Sequence, residues 1–138
     1  MDLRDKRVFV DASFWIAYRE PEKPLHIPAK RALAGLFAER VHLVTTLFVF
    51  AEIHAHFSKH PKRRQVVIQD FWNNPILKFE EPSSADKEIV MEILRQHGDK
   101  NYSFCDVVSF VVMERLGVQR VLSFDDHFRQ YGRFEVIG

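Results

Sequence analysis

Three acidic residues stand where an apolar run ends or a helix begins, and a fourth stands inside an apolar run. Asp11 follows "VFV", Asp125 follows "VLSF", Asp106 comes three residues after Ser103 in "SFCDVVSFVVMERLG", and Glu52 interrupts "FVFAEIHAHF". Carboxylates of this kind, if gathered in one place, repel one another. At ~5 Å and an effective dielectric of about 20, each pair costs roughly 3 kcal/mol. Such a cluster holds a proton or a cation. Hard oxygen ligands favour Mg²⁺ or Mn²⁺, and an ion of that type activates water and stabilises the leaving oxygen in phosphodiester cleavage.

Each acid also has a purely structural reading. Asp11 is placed to cap a helix beginning near Ser13. Ser103 and Asp106 have capping-box spacing, with Asp in place of Glu. Asp125 and Asp126 suit a turn. Glu52 fits such a reading least. Phe48, Val49, Phe50, Ala51 and Ile53 surround it in a helix that reads as apolar nearly all round. Its carboxylate is therefore expected to be buried and to need an arginine or a metal as partner.

Whether the acids meet depends on the elements that carry them. "RVFVDAS" (7–13), "VHLVT" (41–45), "ILKFE" (76–80), "QRVLSF" (119–124) and "RFEVI" (133–137) read as strands. Several are apolar on both faces, as in a parallel sheet covered on each side. Helices are expected over 13–19, 29–39, from the Thr45–Thr46 cap through Phe57, beyond Pro61 to about Trp72, from Ser83 or Ser84 to about Gly98, and over 103–117. The segment "EPEKPLHIP" (20–28), with three prolines, reads as a loop. Alternating strands and helices predict an α/β fold, a three-layer α/β/α sandwich with a central parallel sheet, formed as one domain over 1–138.

In an open parallel sheet, ligands collect beyond the carboxyl ends of the strands. Asp11 and Asp125 leave their strands at that edge. A crossover helix starts there too, which places Asp106 in a first turn. Glu52, six residues past Thr46, is roughly 9 Å into its helix at 1.5 Å per residue. The topology therefore predicts that all four converge at one end of the sheet.

Composition sets wider bounds. Of 138 residues, 46% are hydrophobic, enough for a core and too many for a disordered chain. Net charge is +1, so any polyanion must be met by a local patch rather than a global field. One cysteine, Cys105, forms no internal disulfide and suits a reducing compartment. The charged start "MDLRDKRVFV" is unlike a secretory leader, and no apolar run is long enough for a membrane span. A cytoplasmic protein is expected.

The motifs "VFVDAS", "FVFAEI", "DKNYSFCDVVSF" and "VLSFDDHF" resemble, in order and spacing, those of the PIN-domain nucleases, most closely the VapC-type toxins of bacterial toxin–antitoxin pairs. The resemblance runs along essentially the whole chain, and "YSFCDVVSFVVMERLGVQRVLSFDDHF" is its most specific part. It implies an α/β/α sandwich and endonucleolytic cleavage of RNA dependent on Mg²⁺ or Mn²⁺. It also implies an antitoxin protein as partner and a homodimer. Asp11, Glu52, Asp106 and Asp125 match the acidic metal pocket and would be both catalytic and metal-binding. Asp99 matches an accessory acid, Asp126 falls outside the motif position, and Ser13, Ser103 and Ser123 match hydroxyl positions that orient carboxylates. A catalytically silent PIN-like module that binds RNA or protein is the alternative. An α/β phosphoacceptor or phosphatase is a more distant one.

Other signals are weaker. "KHPKRR" (59–64) suits either RNA phosphates or solvent. Glu52 and His56, one turn apart, lack the second histidine that a zinc site requires. Cys105 has no histidine partner that would make it a nucleophile. Phe71 and Trp72 suit base stacking or ordinary packing.

Overall fold

The computed structural model describes residues 6–138, so the first five residues of the charged start lie outside the described part. The strands are β1 (Arg7–Val10), β2 (His42–Thr45), β3 (Leu77–Phe79), β4 (Arg120–Leu122) and β5 (Glu135–Ile137). The helices are α1 (Ala12–Tyr18), α2 (His26–Ala38), α3 (Leu47–His56), α4 (Pro61–Phe71), α5 (Ser84–Gln96), α6 (Phe104–Leu116) and α7 (His127–Tyr131). All strand pairs are parallel, in the order β3-β2-β1-β4-β5. Strand order was not readable from spacing.

This order has a physical consequence. The chain moves outward from β1 to β2 to β3, then crosses back to β4 on the other side of β1. Right-handed crossovers place the helices of the two directions on opposite faces. Accordingly α1 packs on α2 and α3, while α5 packs on α6. The direction reverses between β1 and β4, and that reversal opens a crevice at their carboxyl ends. Register brings Val10 opposite Leu122, and the Asp11 N–H continues the ladder to the Leu122 carbonyl at 3.0 Å.

Core residues close both faces. Val8, Phe9, Val10, Val121 and Leu122 are wholly buried in the central strands. Helix α6 is the most enclosed, with every residue from Cys105 to Met113 buried. Gly117 ends it with φ of 71°, a left-handed conformation that glycine adopts without Cβ strain.

Some boundaries differ from the sequence reading. Helix α2 starts at His26, inside the stretch read as loop, with Pro28 in its first turn, where a missing N–H costs nothing. Pro61 likewise opens α4 at its first position as well as closing what precedes it. Gly98 does not cap α5; the capping position is His97. Helix α7 was not foreseen, because its five residues are too few to show a period.

Candidate active site

Four elements deliver the acids to the crevice: Asp11 at the end of β1, Glu52 on α3, Asp106 in the first turn of α6, and Asp125 just past β4. Asp11 occupies the N-cap position of α1, yet its side chain makes no capping bond. Instead its Oδ2 accepts from Ser13 Oγ at 2.8 Å and from Ser123 Oγ at 2.9 Å. Ser13 Oγ in turn accepts the Phe124 N–H and Ser123 Oγ accepts the Asp125 N–H, each at 3.0 Å, and the two hydroxyl oxygens lie 3.2 Å apart.

Asp106 keeps its structural role and gains another. The capping box is complete: Ser103 Oγ accepts the Asp106 N–H, and Asp106 Oδ2 accepts the Ser103 N–H at 2.9 Å. The same Oδ2 lies 2.6 Å from His127 Nδ1. Asp125 accepts the His127 backbone N–H on Oδ1 at 3.0 Å, and His127 Nδ1 lies 3.2 Å from that oxygen. Ligand atoms of Asp106, Asp125 and His127 lie within 4.8 Å of one another.

A pattern follows. Among the described residues, each of the three aspartates has one oxygen tied to protein donors and a second that takes no side-chain donor. Among the described residues, no lysine or arginine pairs with Asp11, Glu52, Asp106 or Asp125. Burial pushes the Asp11 carboxyl above its ordinary value, and the negative charge of Asp106 adds to the rise against the two serine hydroxyls. Glu52 is also raised, first by desolvation and then by Asp11 and Asp106. These acids therefore share one field. Carboxylate oxygens without lysine or arginine partners among the described residues form a hard donor set that fits Mg²⁺ or Mn²⁺.

Glu52 departs from expectation in one respect. It is exposed, because α3 buries only Val49 and Ile53 fully. Leu47 and Phe48 of the same helix stand 46% and 38% exposed, so an apolar sequence here does not mean an enclosed helix. The Glu52 carboxyl faces the crevice beside the Cys105 thiol rather than an arginine.

Other candidates find ordinary places. Asp99 is exposed, 3.9 Å from Lys100, and Asp126 is exposed at the start of α7. His56 faces Glu20 at 3.3 Å instead of Glu52. Arg63 of the basic run forms a fork on Glu22 at 2.7 and 2.9 Å. Phe71 is core, while Trp72 is 58% exposed over Phe79. Burial and the neighbouring carboxylates push the Cys105 thiol far up, which removes it as a nucleophile.

Sequence reasoning passed over His127. Its signal was present: a histidine two residues after Asp125 reaches back to the carboxylate that begins its own turn. Sequence reasoning also passed over Asp86, which is buried in a second capping box with Ser83 and held by Arg115 Nε at 2.6 Å.

The PIN domain family model matches residues 8–134. The chain is 30% identical over 131 residues, 94% of its length and 97% of the relative's, to the 23S rRNA-specific endonuclease VapC20 of Mycobacterium tuberculosis. The crystal structure of M. tuberculosis VapC20, described as a Sarcin-Ricin loop cleaving toxin, superposes with a TM-score of 0.82 at 28% identity, covering 95% of this chain and 99% of that one. VapBC2 from Rickettsia felis, bound to a promoter DNA fragment, shares the fold with a TM-score of 0.67 at 12% identity, covering 94% and 96%. FitAcB from Neisseria gonorrhoeae does so at 0.63 and 17%, covering 95% and 96%. This chain belongs to the PIN domain family.

Proposed function

We propose that this chain is a metal-dependent endoribonuclease, the toxin of a toxin–antitoxin pair. One observation carries the reading: at the topological switch point, three aspartates each have an oxygen that takes no side-chain donor, with Glu52 facing them and, among the described residues, no lysine or arginine to neutralise the set. Likeness to a 23S rRNA-specific endonuclease over nearly the full length of both proteins supports RNA as substrate.

Asp11, Asp106, Asp125 and Glu52 would hold Mg²⁺ or Mn²⁺, which when bound supplies an activated water and charge stabilisation of the leaving oxygen. The chain's own work is orientation. Ser13 and Ser123 fix the rotation of Asp11, so its open oxygen is aimed before anything binds. The Ser103 N–H does the same for Asp106. Binding requires the carboxylates ionised, so the elevated Asp11 and Glu52 must release their protons to receive the ion.

The experiment is cleavage of purified 23S rRNA and of a mixed RNA pool by the isolated protein, with Mg²⁺ or Mn²⁺ and with EDTA. Discrete products with metal and none with EDTA are expected. Intact RNA under every metal condition, from protein that circular dichroism shows to be folded, would overturn the reading. Equal RNA binding with and without metal, and no products, would identify a silent module instead.

A further inference from the structure

We infer that His127 is the positioning residue that joins Asp106 to Asp125 and aims their open oxygens at one point; the inference rests on the metal site proposed above. A carboxylate only accepts, so a contact of 2.6 Å between His127 Nδ1 and Asp106 Oδ2 means that Nδ1 carries the proton and donates. The same Nδ1 lies 3.2 Å from Asp125 Oδ1, which also takes the His127 backbone N–H at 3.0 Å. One residue thus bridges two acids separated by most of α6 and all of β4. The ring itself is held: the Tyr102 ring stands edge-on to it, with centroids 5.6 Å apart at 82°, and the side chain is 21% exposed.

The alternative is that His127 ligates the ion directly through Nδ1. Spacing argues against it. Adjacent ligands of an octahedral ion with bonds of ~2.1 Å stand about 3 Å apart, and 2.6 Å is a hydrogen bond. Moreover the oxygens that His127 engages are the tied ones. Asp106 Oδ2 already serves the Ser103 N–H, and Asp125 Oδ1 already serves the His127 N–H. His127 therefore uses up the oxygens that face the protein and leaves the others for the cation. Carboxylates held in this way from behind bind metal more tightly, and losing such a donor typically costs about 10–100-fold in affinity.

The test is calorimetric titration of Mn²⁺ into folded wild type and the variants H127L, H127A and H127N, with folding checked by melting temperature. Leucine fills the space beside Tyr102 without a donor. Asparagine places an amide N–H near the position of Nδ1. H127L and H127A are expected to bind Mn²⁺ at least about 10-fold more weakly, and H127N to regain most of the loss. H127N as weak as H127L overturns the inference. So does a folded H127L that binds as tightly as wild type, or more tightly. If the wild type itself takes up no Mn²⁺, the metal site is refuted and this inference with it; wild-type binding alongside an unaffected H127L refutes the positioning role alone.

Discussion

At the scale of single residues, Asp11 shows how burial and function are joined. It is 3% exposed, pairs with no lysine or arginine among the described residues, and is compensated by two hydroxyls and the Ala12 N–H. Asp11→Asn should abolish RNA cleavage and Mn²⁺ uptake while keeping the fold. In EDTA it should melt no lower than wild type and up to about 3 °C higher, the shift that ~1 kcal/mol produces in a domain of this size. Asp125→Asn should lose cleavage as well, with melting temperature and RNA products as the readouts. Acid dependence follows from the same shifts. The folded carboxyls of Asp11 and Glu52 lie above their ordinary values of 3.8 and 4.5. The metal-free fold therefore favours their protonated forms. Their contribution is fully present below those ordinary values and is lost as pH rises through the raised ones. Melting in EDTA across roughly pH 4 to 7 should show this loss in wild type and a flatter profile in Asp11→Asn. Excess Mn²⁺ should reverse the trend, with a stabilisation that grows with pH. Asp11, Asp106 and Asp125 could be singled out because each stood at the end of an apolar run or in a first turn, and Glu52 because it interrupted an apolar helix. His127 was not, because a hydrogen bond from a ring nitrogen leaves no periodic trace.

At the scale of elements, α5 and α6 provide an internal comparison. Both open with Ser-x-x-Asp, and both complete the capping box. At Asp86 burial works against ionisation, but the Ser83 N–H and Arg115 outweigh it and hold the carboxyl below the usual range. At Asp106 no arginine arrives, and the carboxylate faces the crevice instead. The same four-residue motif is thus a cap joined to an ion pair in one helix and a cap shared with the site in the other. What separates them is which neighbour the fold supplies, and spacing within a helix does not encode that. Ser83→Ala and Ser103→Ala should each lower stability by about 1 kcal/mol. Only Ser103→Ala should also weaken Mn²⁺ binding; equal binding by the two variants would show that the cap plays no part in aiming Asp106. Arg115→Met should cost about 2 kcal/mol by leaving Asp86 buried without its partner, measured by urea denaturation, and should leave metal binding unchanged. The strands and the long helices were readable from apolar runs and caps. The start of α2 was not, since three nearby prolines imitate a loop, although one of them fits a first helical turn.

At the scale of the whole molecule, the parallel sheet was predictable from alternation, whereas its order was not. Order depends on which strands find each other across the chain, and that information lies in packing between distant segments. Beside the acids, Leu47, Phe48 and Phe104 form an exposed apolar rim, with the Phe48 and Phe104 rings 5.4 Å apart. Under the toxin reading this rim suits an apolar segment of the antitoxin. Phe48→Asp should therefore weaken co-purification with an antitoxin encoded by an adjacent reading frame, while Mn²⁺ binding by the isolated protein persists. Among the described residues, no helix is long and apolar enough to cross a membrane. The pairing of β1 with β4 has one more consequence, for synthesis of the chain. Ser123 and Asp11 bond to each other across 112 positions, so the first acid is not held in place until the chain has been made as far as β4. A nascent chain halted before β4 would hold Asp11, Glu52 and Asp106 but lack Ser123 and Asp125.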